Sequence, residues 1–176
     1  MKNIVLIIVV MCAFCGQASS ATVTATAQDS SIMFRIKHDL GYTVGYFGDF
    51  TATLDLGETP GQVVSTQMQV ATASINTRND LRDEGLRSAM FFDAEKFPQA
   101  TFESAKVEGD VITGTMTIKG VSQPVVLKVQ KDAPSGKLFL KGEFNRNDFG
   151  ITYNKVLADK KKSIGDVVEL IIELSV

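Results

Sequence analysis

Apolar and polar residues alternate with a period of two along most of this chain, and the C-terminal run DVVELIIELSV shows the pattern most clearly. There the even-numbered positions from Val168 to Val176 are apolar, whereas Glu169 and Glu173 fall on the other parity. Such alternation predicts a strand with one face in a core and the other in water. Looser alternation predicts further strands over about 22–27, 32–38, 44–56, 63–72, 100–108, 110–119, 124–131 and 137–146.

Short turn sequences separate these predicted strands, as at Glu108-Gly109-Asp110 and at Pro134-Ser135-Gly136. About eight strands of similar length joined by tight turns predict an antiparallel barrel or a sandwich. The long run over 44–56, and glycines inside the strands where bends and bulges form, favour the barrel. The sequence therefore predicts an all-β fold, an antiparallel eight-stranded barrel.

Residues 78–102 break the alternation, because charged side chains crowd the first half of the segment and phenylalanines the second. Thr77 followed by Asp80 fits a capping box, and Asp83 and Glu84 suit the positive end of a helix dipole. We predict a short helix over about 78–90. Such a helix cannot join the sheet, and we expect it to cover one end of the barrel as a lid.

The predicted inward faces of the strands are rich in large, soft apolar side chains, and the chain has eleven Phe and no Trp. A small barrel either fills its interior with side chains or holds one ligand. We predict that a ligand contacts Phe34, Ile36, Met68, Phe102, Met116 and Ile118 inside the barrel, and Phe91, Phe92 and Phe97 at the lid. His38, Arg87 and Tyr153 are candidates for polar contact at the mouth. For each residue, the alternative is a place in an ordinary packed core.

The first twenty residues have the pattern of a secretory signal peptide. One early lysine is followed by an apolar run that ends near Phe14, too short to span a bilayer, and then by small residues up to Ser20. We predict cleavage after Ser20, which leaves residues 21–176 as a single domain. Both cysteines, Cys12 and Cys15, lie in this leader. The mature chain is therefore expected to have no disulfide and no thiolate chemistry.

The formal net charge of −2 gives no sign of the basic face that a nucleic-acid-binding protein needs. The run Lys160-Lys161-Lys162 is the nearest approach to a charge cluster. We interpret it as a solvated loop, with transient contact to anionic lipid heads at a membrane surface as the alternative. After the leader, no second apolar stretch approaches 18 residues, so the mature protein is not expected to span a membrane.

The sequence has few side chains that could act in catalysis. The single histidine, His38, precedes Asp39, but neighbours in a strand point to opposite faces, so we expect Asp39 not to orient the imidazole. No nucleophile elbow, zinc-protease motif or phosphate-binding glycine loop is present. A lone imidazole without a second soft ligand does not predict a metal site. We therefore predict a protein that is not an enzyme and needs no cofactor.

Several short segments give a further indication of the fold and the function. They are Phe34-Arg35-Ile36-Lys37-His38, Ser74-Ile75-Asn76-Thr77, Arg82-Asp83, Leu86-Arg87-Ser88-Ala89, Phe91-Phe92-Asp93, Gly114-Thr115-Met116-Thr117-Ile118-Lys119-Gly120-Val121, Arg146-Asn147-Asp148-Phe149-Gly150 and Gly165-Asp166. In this order they resemble the YceI-like family of periplasmic lipid-binding proteins, over essentially the whole mature chain. The resemblance implies a lipocalin-like antiparallel barrel with a long apolar cavity, secretion to the periplasm, and binding of polyisoprenoid or other long-chain lipids.

The chain departs from the family pattern at three places. It has Val44-Gly45-Tyr46-Phe47 where the family often has basic residues, Gly85 where it often has His, and Met90 where it often has Asp. If those polar groups seat a ligand head group, this protein prefers a less charged head or a different lipid.

The combined prediction is periplasmic binding, sequestration or transport of a long-chain apolar ligand, such as a polyisoprenoid or an isoprenoid quinone. Two alternatives stay open: an enzyme acting on a lipid or quinone in the cavity, and a structural or adhesive β domain with a filled core. A long exposed strand edge is compatible with a homodimer, although no residue pattern requires one.

Overall fold

The computed structural model describes residues 21–132, 134–154 and 163–176. The predicted signal peptide over 1–20 and the lysine run at 160–162 lie outside the described residues. Within the described part of the chain, no helix is both long and apolar enough to cross a membrane.

The described residues form eleven strands, one α-helix and two short 3-10 turns. The strands are β1 Ala21–Thr26, β2 Ser31–His38, β3 Gly41–Phe47, β4 Phe50–Leu56, β5 Val63–Ala71, β6 Ile75–Asn76, β7 Gln99–Glu108, β8 Val111–Ile118, β9 Val121–Lys131, β10 Leu138–Asn145 and β11 Ile164–Leu174. The helix is α1, Asp80–Arg87, and the 3-10 turns are Thr72–Ser74 and Arg146–Phe149.

All eleven strands belong to one antiparallel sheet, in the order β1-β4-β5-β7-β8-β9-β10-β11-β2-β3-β6. Strand β11 near the C-terminus pairs with β2 near the N-terminus, with Leu170 opposite Phe34. The sheet thus curls into a half-barrel around an apolar interior. The predicted all-β antiparallel architecture with one short helix is confirmed. The predicted number of eight strands is wrong, since eleven are present in the described residues.

The single long strand predicted over 44–56 is also wrong, because the chain turns at Gly48 and Asp49. Here β3 ends and β4 begins, and the two strands have different partners: β3 pairs with β2 and β6, whereas β4 pairs with β1 and β5. The Gly48 N–H donates to the Ser74 carbonyl (3.1 Å), and the Ala71 N–H donates to the Asp49 carbonyl (3.0 Å). These bonds hold the corner where the chain changes its place in the sheet.

Helix α1 is shorter than the predicted 78–90, and its cap is a different residue. The side chain of Asn79 caps the helix by accepting a hydrogen bond from the Arg82 N–H (2.9 Å). Thr77, the predicted cap, is buried and donates to the Asp83 carboxylate from its backbone N–H (2.9 Å) and from its hydroxyl (2.5 Å). The predicted capping box is therefore wrong, because buried Asp83 engages Thr77 before the helix begins.

The edge strand β1 is tied to the sheet through Asp55 on β4. The Thr22 hydroxyl donates to one carboxylate oxygen of Asp55 (2.7 Å), and the Ser65 hydroxyl donates to the other (2.6 Å). These bonds, first that from Ser65 and then that from Thr22, stabilise the ionised carboxylate and lower the pKa of Asp55. One carboxylate thus connects β1, β4 and β5.

Candidate functional site

A cavity of about 540 Å³ lies between the inner face of the curled sheet and the segment that contains α1. Its volume is within the range of roughly 300–1,000 Å³ that is usual for small-molecule sites. Twenty-two of the thirty residues that line it are apolar or aromatic. The interior is therefore only partly filled by the protein's own side chains, and the space that remains is suited to an apolar molecule.

Strands β2 and β11 form one wall of this cavity. Phe34 stands opposite Leu170 and Ile36 opposite Val168 in the ladder, and all four line the cavity, as the period-two alternation requires. The Phe34 ring lies directly over Gly45 of the adjacent β3, since a Cβ at Gly45 would stand 2.3 Å from Cζ of that ring. The glycine thus provides the room in which the ring lies against the sheet.

The facing wall comes from β5, β7 and β8. Met68, Phe102 and Met116 are direct cross-strand neighbours, and all three are buried. Gly114 repeats the arrangement of the first wall, because a Cβ there would be 2.5 Å from Cζ of Phe102 and 2.4 Å from the Glu103 carbonyl oxygen. Two glycines therefore let two cavity-lining phenylalanines lie flat on the sheet, which keeps the space between the walls open.

The third side is the lid segment, residues 80–97, of which Leu86, Met90, Phe91 and Phe92 line the cavity. The Phe92 ring meets Phe47 edge-on, with 6.0 Å between centroids and 88° between planes. The Phe91 ring lies 5.3 Å from the ring of Tyr153. Aromatic contacts thus join the lid segment to both flanks of the cavity.

Hydrogen bonds to backbone carbonyls anchor the lid segment. The Arg87 guanidinium donates to the Ala73 carbonyl (2.8 Å) and the Ile75 carbonyl (2.9 Å). The Lys119 ammonium donates to the Ala89 carbonyl (2.7 Å). Arg87 was predicted to contact a ligand at the mouth, but it ties α1 to the preceding 3-10 turn and to β6 and does not line the cavity.

The polar residues on the lining are few. They are His38, Asp39, Thr43, Arg82, Thr101, Arg146 and Ser163. Asp39 was expected on the opposite face from His38, yet both line the cavity, and Oδ1 of Asp39 is 3.7 Å from Nδ1 of His38. The expected opposite placement is wrong because β2 ends at His38, so strand alternation does not extend to the next residue. At 3.7 Å the two side chains are too far apart for a hydrogen bond, and Nδ1 of His38 accepts one from the Leu40 N–H instead (3.2 Å).

Arg146 is a charged residue inside the protein, with only 3% of its surface exposed. Its guanidinium donates to the carbonyls of Ile151 (2.6 Å), Gly165 (2.8 Å) and Tyr153 (2.9 Å), and it lies 3.4 Å from the Asp166 carboxylate. Burial lowers the pKa of Arg146, and the negative charge of Asp166 opposes that shift. Arg146 follows the last residue of β10. Its hydrogen bonds therefore hold residues 151–153 and the start of β11 together at the end of that strand.

Ten of the twelve residues predicted to bind a ligand line the cavity. Arg87 and Phe97 do not; the Phe97 ring packs beside Gly120, with the Lys96 ammonium 5.1 Å from its centroid. That the other ten contact a ligand stays a prediction. The described residues contain no group of three or more His, Cys, Asp or Glu side chains arranged to hold a metal ion.

Sequence reasoning missed part of the lining. The missed residues include Phe47, Leu86, Met90, Phe144, Arg146 and Ile151. Leu86 and Met90 are apolar residues four positions apart in the predicted helix over 78–90, so they lie on one face of it, and this spacing was the available signal. The alternation of apolar and polar residues did not distinguish Arg146 from a surface arginine, because its carbonyl partners, Ile151, Tyr153 and Gly165, lie outside its own predicted strand.

The fold and the cavity define an all-β protein built around an internal apolar chamber. The chain belongs to the YceI-like family, since the family model described as YceI-like domain matches residues 23–176. The family predicted from the sequence segments is thus confirmed. Protein YceI of Salmonella arizonae is 37% identical over 149 residues, covering 77% of this chain and 78% of that protein.

Solved structures share the fold. The YCEI protein of Campylobacter jejuni is 31% identical, with a TM-score of 0.60 over 74% of this chain and 81% of that one. BcnA of Burkholderia cenocepacia is 24% identical, with a TM-score of 0.66 over 85% and 98%. A polyisoprenoid binding domain from Saccharophagus degradans is 17% identical, with a TM-score of 0.61 over 89% and 97%. The last two likenesses establish the fold alone.

Proposed function

We propose that this protein binds a long-chain apolar ligand, such as a polyisoprenoid or an isoprenoid quinone, and sequesters or transports it in the periplasm. The observation that carries the proposal is the cavity of about 540 Å³ with its largely apolar lining. Burial of alkyl groups stabilises a complex by about 0.8 kcal/mol per CH₂. Ten methylene groups would contribute roughly 8 kcal/mol before the entropic cost of association, so few polar contacts are needed.

The comparisons support the chemistry of the ligand. The Saccharophagus degradans relative of the same fold is described as a polyisoprenoid binding domain, and a branched apolar chain suits walls of Phe, Met, Leu and Ile side chains. The predicted leader over 1–20 supports export. A long-chain apolar lipid is nearly insoluble in water. A binding protein would therefore be needed to move it through the aqueous compartment between two membranes.

A dye titration tests the proposal directly. N-phenyl-1-naphthylamine, an uncharged dye that fluoresces in apolar surroundings, should bind the purified mature protein with a stoichiometry of one and be displaced by geranylgeraniol. Two variants introduce the same bulky side chain on opposite faces of the sheet: Met116→Trp inside the cavity and Val126→Trp on the outer face, where Val126 is half exposed.

We expect Met116→Trp to lose most dye binding and Val126→Trp to retain it. Equal binding by the two variants, or dye that geranylgeraniol does not displace, would contradict the proposal. Thermal unfolding of both variants serves as the control for folding. The chain has no Trp of its own, so the introduced residues also report their surroundings through their own emission.

A further inference from the structure

The outer surface of the curled sheet differs in chemistry from one side to the other. On β4, β5, β7 and β8 the outward positions are mainly threonine and glutamine, as in the successive cross-strand neighbours Thr51, Gln69, Thr101 and Thr117. On β2, β3, β10 and β11 the outward positions, which alternate with the cavity-lining residues, include larger apolar and aromatic side chains. We call this second surface the apolar outer face. Its apolar and aromatic members are Met33, Tyr42, Val44, Tyr46, Phe139, Val167 and Ile171.

Several of these side chains are direct neighbours in the sheet. Met33 on β2 stands opposite Ile171 on one side and opposite Tyr46 on the other. The Arg35 guanidinium lies 4.9 Å from the centroid of the Tyr42 ring, and Tyr42 is 53% exposed. Aromatic residues, methionine and arginine are the types enriched at protein–protein interfaces. The composition of the apolar outer face is therefore that of a contact surface.

Two pairs of like charge lie on this side of the sheet. Lys141 on β10 stands directly opposite Lys128 on β9. Glu143, the next outward residue of β10, stands directly opposite Glu169 on β11. Like charges that face each other across an antiparallel ladder are destabilising, and Arg35, which donates to Glu169 (3.0 Å), offsets part of the repulsion in the acidic pair. A basic pair thus lies beside an acidic pair, about 7 Å apart along β10.

We propose that the apolar outer face binds the same face of a second copy of this chain, in a two-fold symmetric dimer. In such an interface each contact occurs twice, with the roles of the two copies exchanged. A two-fold axis in the plane of the interface that crosses β10 between Lys141 and Glu143 brings each lysine to the glutamate of the other copy. A partner with charges of one sign would meet a like charge at one of the two positions. A second copy supplies the opposite sign at both.

The size of the face fits a reversible dimer. Five strands, β3, β2, β11, β10 and β9, at a spacing of about 4.8 Å and with about seven residues of 3.3 Å each, cover at most roughly 550 Å² per copy. Two copies would bury up to about 1,100 Å², near the lower limit for a specific interface. We therefore expect a monomer–dimer equilibrium with a micromolar Kd. The cavity lies on the other face of the sheet, so the inference does not depend on the proposed function.

Charge reversal on β10 tests the proposal. The dimer Kd is measured by sedimentation velocity over a micromolar concentration range for the unmodified protein, Lys141→Glu, Glu143→Lys and the double substitution. Each single reversal places like charges in contact at two symmetric positions of the interface. We expect each to weaken the dimer by at least about tenfold and the double substitution to restore the Kd to within about threefold.

The single reversals also separate an effect on the interface from an effect on the fold. Within one copy each reversal converts a like-charge cross-strand pair into a pair of opposite charges, so urea unfolding should show equal or slightly greater stability. Dye binding should be unchanged, since Lys141 and Glu143 do not line the cavity. Gln69→Lys is the matched control on the threonine-rich side of the sheet, and it should leave the dimer intact.

Three results would overturn the proposal. The first is an unmodified protein that stays monomeric over the whole concentration range. The second is a dimer that the single reversals do not weaken, or that the double substitution does not restore. The third is a loss of dimer in the single variants together with a loss of folded stability, because the two residues would then act in the fold and not at an interface.

Discussion

Replacement of Gly45 by alanine should destabilise the protein and narrow its cavity, mainly by displacing the Phe34 ring; the new Cβ would also stand 2.9 Å from Cγ2 of Thr77. The added methyl group would stand 2.3 Å from Cζ and 2.4 Å from Cε1 of the ring, whereas carbon atoms pack at about 3.5 Å or more. The ring must therefore shift by roughly 1 Å, and the open space beside it is the cavity. Overpacking of this kind typically costs about 1–3 kcal/mol, so we expect a loss of that size in the free energy of unfolding.

The test is a double-mutant cycle read by urea unfolding, with Gly45→Ala, Phe34→Leu and the double substitution. Leucine lacks the outer ring atoms that the methyl group meets, so the penalty of Gly45→Ala should fall by about 1 kcal/mol or more in the Phe34→Leu background. The same Gly45→Ala protein should bind N-phenyl-1-naphthylamine more weakly, because the displaced ring occupies part of the cavity.

Gly85→Ala is the matched control, since a Cβ at Gly85 meets no atom within 4 Å although the residue also lines the cavity. It should preserve dye affinity and stabilise the protein by up to about 1 kcal/mol through helix propensity. An equal penalty for Gly45→Ala with and without the Phe34 ring would refute the packing that we describe.

The remaining predictions concern the lid, the buried arginine and the acidic link to β1. Phe92→Asp should weaken dye and lipid binding about thirty- to one-hundred-and-fifty-fold, because burial of half of a phenylalanine's roughly 150–250 Å² is worth roughly 2–3 kcal/mol. Phe97→Ala, outside the cavity, should leave binding intact, and loss of binding in both variants would show a folding defect. Arg146→Leu should lower the free energy of unfolding in urea by about 2–4 kcal/mol, since it leaves the carbonyl groups that the guanidinium binds without their donor. A loss near zero would be incompatible with this role. Because the pKa of Asp55 is lowered in the folded protein, its stabilising contribution is complete above about pH 4 and is lost as the pH falls through the folded-state pKa. Asp55→Asn should therefore be less stable than the unmodified protein at neutral pH, and urea midpoints should converge below about pH 4; a gap that persists in acid would argue against this linkage.

The alternation of apolar and polar residues predicted the walls of the cavity because one face of those strands lies against the apolar interior and the other faces solvent. On β2 and β11 the inward residues share one parity, and the cavity lies on the side that this parity predicts. The failure at 44–56 has a specific cause. Val44 and Tyr46 face outward on β3, whereas Phe50 and Ala52 face inward on β4, so apolar residues of one parity run continuously through a corner. The period-two pattern cannot detect such a corner. The prediction therefore treated Gly48 as a bend within a single strand over 44–56.

Tertiary contacts decided the parts of the site that local signals could not. Thr77 and Asn79 are both suitable caps, and the choice of Asn79 depends on the burial of Asp83 beneath the helix. Arg87 lies near the C-terminal end of α1 in the sequence pattern, but the carbonyls that it binds belong to residues 73 and 75. The buried position of Arg146 likewise depends on a meeting of β10, β11 and the 151–154 segment that no local pattern encodes.

Mass spectrometry of an organic extract tests the central claim most directly. The protein would be purified from its own cells without detergent, and the folded, monodisperse fraction would be extracted and compared with an extract of Met116→Trp prepared in the same way. The account predicts a long-chain apolar lipid in near-stoichiometric amount from the unmodified protein and little from the variant. A folded protein whose extract contains no such lipid, or equal amounts from both proteins, would contradict it.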